Sequence, residues 1–308
     1  HDMMKKTVLL AAVLLAALFW AVPAFAGTIP TSVVPDSARW IVHLDVEKFV
    51  ATKLFELLDK DGNIDIKSRD AERWLKLDPR KDLGGVTVFG LGPDDSQIVF
   101  AVEGKFDKAT ILAQIDRRAE HEETPYGPFT LYSIGRDGYG AFINDNLIVF
   151  SEGRAALEKT LDTADGKAKT FAATALSASL KEVPAGAFLK GVLPDLSGLG
   201  KEIGRSKVLD KASGLFFLAQ EKSESLLVRL QVTAGSPESA KDMADVVQGL
   251  IAMARLSESR DKTAKLGALL EGLKVNLDGK VLRLDFERPS QVIADLLSER
   301  HGMHRLFD

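Results

Sequence analysis

The chain of 308 residues contains no cysteine. That absence excludes disulfides, thiolate metal centres and cysteine nucleophiles. It also leaves the apolar core to hold the fold, which a chain of this length can manage. No basic block is present, and the formal net charge is −4. Nucleic acid therefore has no electrostatic footprint to bind. Low-complexity tracts are missing, and the 11 prolines and 25 glycines are scattered. No G-x-S-x-G elbow, H-E-x-x-H helix or phosphate-binding loop occurs.

What stands at the N-terminus is a secretory leader. His1 and Asp2 precede a Met-Met pair and read as an addition to the natural chain or a mis-set start. Lys5 and Lys6 form a positive segment, residues 7–22 are continuously apolar, and Ala24-Phe25-Ala26 supplies small residues for signal peptidase. Cleavage after Ala26 is expected, with Pro23 ending the apolar helix just before the site. About 20 apolar residues are needed to span a bilayer, and this run ends slightly short of that. Retention as an uncleaved anchor is the rival reading. No cysteine follows, so a lipoprotein anchor is excluded. Cleavage leaves about 282 residues, and loss of Asp2, Lys5 and Lys6 moves the net charge to −5. The expected address is periplasmic or secreted.

Hydrophobic period then gives one order of elements twice. In the first half, strands are expected at 40–46, 86–91 and 98–102, and near 129–134, 140–143 and 147–150. Phe49, Val50, Leu54, Leu57 and Leu58 recur at helical spacing. Gly92-Pro93-Asp94-Asp95 reads as a turn. Asp107 is the expected cap of a helix that buries Ile111, Leu112 and Ile115, and a short helix at 154–161 closes the half. In the second half, strands are expected at 187–193, 215–219, 226–232, 273–277 and 281–286, with a helix around 199–208. Ser236 caps a helix with Pro237 at its first position. That helix should carry Met243, Val246, Val247, Leu250 and Ile251 inward. Asp278-Gly279 is the expected centre of a type I′ hairpin turn. A last helix carries Val292, Ile293, Leu296 and Leu297.

The order β-α-β-β-α-β-β-α in both halves, with Val34-Pro35 matched by Val183-Pro184, points to a duplication. The expected fold class is α+β: two tandem similar halves, each a mostly antiparallel sheet covered by helices on one face. The expected division is a leader at 1–26, halves at 27–162 and 174–300, a linker at 163–173 and a tail at 301–308. One continuous domain with a coincidental repeat is the alternative. The run Leu77-Asp78-Pro79-Arg80-Lys81-Asp82-Leu83 before Val86-Thr87-Val88-Phe89-Gly90, following the strand at 40–46, resembles exported bacterial proteins of a domain-of-unknown-function family. That resemblance implies no activity and no site residues.

The most specific local signal is acidic. Asp59, Asp61, Asn63 and Asp65 alternate, Ile66 follows, and Asp70 closes a span of twelve residues. The segment resembles the calcium loop of EF-hand proteins. The resemblance implies Asp59, Asp61, Asn63, Asp65 and Asp70 as ligands, with calcium or magnesium as the only cofactor. Ile64 stands where the loop needs glycine, at a cost of about 1–2 kcal/mol. Asp70 is one methylene shorter than the usual bidentate Glu, so binding is expected to be weak. Turns are rich in Asp, Asn and Gly, so a solvated helix–turn–helix connection fits the same composition. The first half carries about 21 more residues than the second between shared landmarks, and this segment lies among them.

Other polar residues read as structural. His43 lies among apolar neighbours and reads as a satisfied core or edge histidine. His121-Glu122-Glu123 reads as the charged end of a helix, and His301 and His304 as a solvated tail. Asp78 and Asp82 read as starting the next strand. No catalytic residue is nominated. The expected function is an exported, non-enzymatic binding, scaffold or envelope-associated protein. Its partner would be a protein or small molecule of the cell envelope, not nucleic acid, and a membrane only if the leader is retained. A divalent-cation-dependent hydrolase using the acidic segment is the second reading, and a membrane-anchored periplasmic protein the third.

Overall fold

The computed structural model describes residues 27–60, 78–92, 94–118, 121–134, 138–181, 183–194, 212–256 and 272–304. The chain begins with β1 (Trp40–Asp45), α1 (Val46–Val50) and α2 (Lys53–Lys60). It continues through α3 (Pro79–Asp82), β2 (Leu83–Gly90), β3 (Ile98–Gly104) and α4 (Lys108–Arg118). Four strands follow, β4 (His121–Tyr126), β5 (Phe129–Ile134), β6 (Tyr139–Asn144) and β7 (Leu147–Ser151), then α5 (Arg154–Ala164) and α6 (Ala175–Lys181). The later elements are β8 (Ala187–Leu193), β9 (Ala212–Lys222), β10 (Ser225–Ala234), α7 (Pro237–Leu256), β11 (Leu273–Asp278), β12 (Val281–Pro289) and α8 (Ser290–His304). The architecture is α+β with antiparallel pairing within each unit. The described residues group into two compact units, and residues 52–60 belong with the second although they precede most of the first. The helix expected around 199–208 lies outside the described residues, as does Pro93 of the expected turn.

The first unit carries a sheet in the order β1-β2-β3-β7-β6-β5-β4. Cross-strand pairing puts Ile41, Phe89, Val99 and Ser151 in one row, and His43, Thr87, Ala101, Val149 and Ala141 in the next. All are buried. Tyr126 projects to this face, and its hydroxyl donates to Asp162 of α5 at 3.1 Å. The opposite face carries Phe100 stacked on Phe150, centroids 4.8 Å apart, and Tyr132 farther along. Lys108 of α4 stands 5.8 Å from the Tyr132 ring centroid, a cation–π contact that anchors the helix there. Helices therefore lie on both faces of this sheet. The single helical layer expected for this half is corrected: strands whose two faces are both apolar need cover on both.

The second unit carries the order β8-β9-β10-β12-β11. Val232, Leu282, Ala240, Met243 and Ala244 form a buried cluster with Leu215, Leu230 and Leu284 packed against it, so α7 covers one face. On the other face Arg229 pairs with Asp285, its cross-strand partner, through contacts of 2.6 and 3.2 Å. Ser236 caps α7, accepting the Ser239 amide at 3.1 Å. Met243 and Ile251 point inward as expected, but Val246 is 44% exposed.

Three local expectations are corrected. The apolar run at 49–58 is two helices, because Asp45 caps α1 through the Lys48 amide and Thr52 caps α2 through the Phe55 amide. His121-Glu122-Glu123 opens β4, which among the described residues is an edge strand pairing only with β5. The hairpin turn after β11 is Gly279-Lys280, since Asp278 pairs with Val281. Only Gly279 has positive φ, +53°, the pattern of a type II′ turn.

Candidate functional site

Period-2 alternation in the segment Trp40-Ile41-Val42-His43-Leu44-Asp45 places Ile41, His43 and Asp45 on the same inward face. Two of these three are polar, and both are completely buried. His43 faces Thr87 across the β1–β2 pair, Asp45 faces Gly85, and Gly85 faces Glu103 of β3. Sheet register thus brings a histidine, a threonine and two carboxyls together from three strands.

His43 has both ring nitrogens engaged. Nε2 lies 2.8 Å from the carbonyl oxygen of Gly27, and Nδ1 lies 2.8 Å from Thr87 Oγ1. A carbonyl oxygen only accepts, so Nε2 carries hydrogen and donates. With the ring neutral, Nδ1 accepts from the threonine hydroxyl. This is the satisfied core histidine expected from its apolar neighbours.

Asp45 is engaged by the turn that follows it. Oδ1 accepts the Lys48 amide at 3.0 Å, and Oδ2 accepts Lys48 Nζ at 2.5 Å. Glu103 is half-buried, and its Oε2 is sealed from solvent with no hydrogen-bond partner. Burial, and then the charge of Asp45, push the Glu103 carboxyl up to about 7. Gly27 closes the cluster. A Cβ there would stand 2.7 Å from the Gly84 carbonyl oxygen and 3.0 Å from Asp45 Cγ, so only glycine fits.

The arrangement holds acid–base groups but does not present them. His43, Asp45 and Thr87 have no exposed surface, and a general base must reach the proton it abstracts. The reading from sequence found His43 but missed Glu103, which reads as an ordinary strand-end glutamate. The signal available was polar residues at alternate positions of an otherwise apolar strand.

Of the five expected metal ligands, Asp59 lies in the last turn of α2. Asp61, Asn63, Asp65 and Asp70 fall outside the described residues. Among the described residues no group of three or more His, Asp or Glu is placed to hold a metal. Asp78 and Asp82 cap α3: the Arg80 amide donates to Asp78 Oδ1 at 3.1 Å, and the Asp78 amide donates to Asp82 Oδ2 at 2.6 Å. His121 pairs with Asp116 at 2.7 Å and Glu123 at 3.5 Å. Among the described residues no helix is long and apolar enough to cross a membrane.

No protein-family model matches the chain, and no curated protein matches it. Solved structures do. Crystal form III of TP0453 matches with a TM-score of 0.57 at 11% identity, covering 89% of this chain and 100% of that one. Crystal form I of TP0453 matches with a TM-score of 0.50 at 11% identity, covering 89% and 98%. At this identity the likeness is one of fold alone.

Proposed function

We propose that this chain is an exported, non-enzymatic binding or scaffold protein of the cell envelope, freed from its leader by cleavage after Ala26. The observation that carries the non-enzymatic reading is His43. Its two nitrogens are held by Gly27 and Thr87 and none of its surface is open, so it braces the N-terminal arm rather than serving a substrate. Val246 and Met253, 44% and 66% exposed at i and i+7 on α7, supply apolar surface for a partner. Expression with the leader in a bacterial host tests the export reading. Recovery from the osmotic-shock fraction with Gly27 first is expected. Lys5 or Met4 as first residue, or retention in the cytoplasm, overturns it. Hydrolysis of ester or phosphoester substrates that depends on added calcium would overturn the non-enzymatic reading.

We also propose that the two units descend from one duplicated element. The order β1-β2-β3-β7-β6 in the first and β8-β9-β10-β12-β11 in the second follow one pattern, each with a helix after its third strand. The β4–β5 hairpin is then an addition at the edge of the first copy. Amide exchange tests this: β2 and β9 should be equally protected, and β4–β5 should exchange first. Slow exchange in β4–β5 at the level of β2 would make the hairpin part of the core and remove the correspondence.

A further inference from the structure

We infer that the α-amino group created at Gly27 by processing is a built-in ligand of the Asp45–Glu103 carboxyl pair, so that removal of the leader completes the charge balance of the first unit. The inference rests on the cleavage reading above. Gly27 is buried, and its carbonyl is fixed by His43 at 2.8 Å. A Cβ on Gly27 would lie 3.0 Å from Asp45 Cγ. The glycine nitrogen is roughly 2.5 Å from that position by covalent geometry. It is therefore no more than about 5.5 Å from Asp45 Cγ, within the range where one charge changes the ionisation of another.

β1 contributes Asp45 and His43, and α1 contributes Lys48, bound to Asp45, together with Glu47. β3 contributes Glu103, whose Oε2 has no hydrogen-bond partner. β2 offers Gly85 and Thr87, and β7 faces Glu103 with Leu147. Among the described residues Lys48 bonds Asp45, while Glu103 Oε2 has no hydrogen-bond partner. In the uncleaved chain the Gly27 nitrogen is an uncharged amide. After cleavage it is an ammonium, and the pair gains its second cation. The fit also accounts for glycine at this position, since any side chain would strike the Gly84 carbonyl.

The experiment uses processed protein with ¹⁵N-labelled glycine, following the Gly27 amine by NMR as pH is raised. A free α-amine titrates at about 7.7–8.0. Held by two carboxylates, that of Gly27 is expected to titrate above roughly 9, and to fall by about one unit in Glu103→Gln. Acetic acid N-hydroxysuccinimide ester at pH 7 should acylate it about tenfold more slowly in folded protein than in urea. Acylation in urea followed by refolding gives a chain with the charge removed, and its urea midpoint should drop. An amine titrating at or below 8, indifferent to Glu103→Gln and equally reactive folded or unfolded, overturns the inference. If sequencing finds a first residue other than Gly27, the cleavage reading fails. The same titration on a chain made to begin at Gly27 through a removable tag still decides the ion pair.

Discussion

The Glu221 carboxylate accepts the backbone N–H of Leu54 at 2.9 Å, across 167 positions of the chain. Its other oxygen accepts the Lys53 amide at 2.5 Å, and the Ser290 hydroxyl donates to the same group. One carboxylate from β9 therefore satisfies two free amides at the start of α2 and holds the first residue of α8. Free amides at a helix start carry partial positive charge, which a carboxylate complements. This explains how residues 52–60 belong to the second unit.

Glu221→Ala should therefore destabilise the second unit by about 2–3 kcal/mol, the scale of charged hydrogen bonds left unmade. Glu221→Gln keeps an acceptor and should cost about 1 kcal/mol. Urea denaturation measures both. Faster amide exchange confined to α2 and the start of α8 would localise the loss. Equal stability of all three proteins would show that the contact carries no energy.

The β9–β10 turn offers a gain instead. Ser223 and Glu224 have φ of 50° and 59°, and Ser225 pairs with Lys222. A two-residue loop with both centres left-handed is a type I′ turn, which favours Asn-Gly. Replacing Ser223-Glu224 by Asn-Gly should raise stability by about 1 kcal/mol. The Ser290 amide bonds the carbonyl of residue 224 at 2.8 Å, and glycine preserves that carbonyl. A fall in the urea midpoint would mean that the Glu224 side chain outweighs the relieved strain.

Strands with apolar alternation and helices with a side-chain cap were legible in the sequence. β8 falls at its expected bounds, Thr110 bonds the Asp107 cap at 3.1 Å, and α7 starts at Pro237. β4 was not legible. His121-Glu122-Glu123-Thr124-Pro125-Tyr126 has no apolar alternation, because an edge strand need bury little, and an edge tolerates Pro125. The turn between the strands at 215–219 and 226–232 was legible in its place, at 221–224, but its left-handed type was not, since neither Ser223 nor Glu224 is glycine or asparagine. The cluster at His43 joins residues 16 and 44 positions apart. Local pattern places each residue on a face, but only strand register decides which faces meet.

Glu103 gives a pH signature in a chain whose Gly27 remains in amide linkage. Its folded value, about 7, lies above the ordinary 4.5. The folded state thus holds this proton more tightly than the unfolded chain does. Its contribution to stability is complete below pH 4.5 and is lost as pH rises through 7. Glu103→Gln should flatten that decline, read as urea midpoints across the interval. In processed protein the Gly27 ammonium should shrink the slope without any mutation. A wild-type slope unchanged by Glu103→Gln would assign the decline to other groups.

The acidic segment supplies the last prediction. We propose that Asp59, Asp61, Asn63, Asp65 and Asp70 bind calcium or magnesium no tighter than about millimolar, the weak end of the EF-hand range. Asp59 lies on α2, which puts the first expected ligand on a helix that leads into the segment. Alternating oxygen ligands give the segment a reason to bind. Ile64 in place of glycine and Asp70 in place of glutamate give it reasons to bind poorly. Repair is more informative than the native measurement. Ile64→Gly with Asp70→Glu should relieve the turn and restore the bidentate ligand, and calorimetric affinity should then rise by orders of magnitude. Circular dichroism of both proteins without metal checks that the repair leaves the fold intact. Silence from both at millimolar calcium would make the acidic spacing a matter of turn composition. The cation-dependent hydrolase reading, which has no other ligand set to draw on among the described residues, would fall with it.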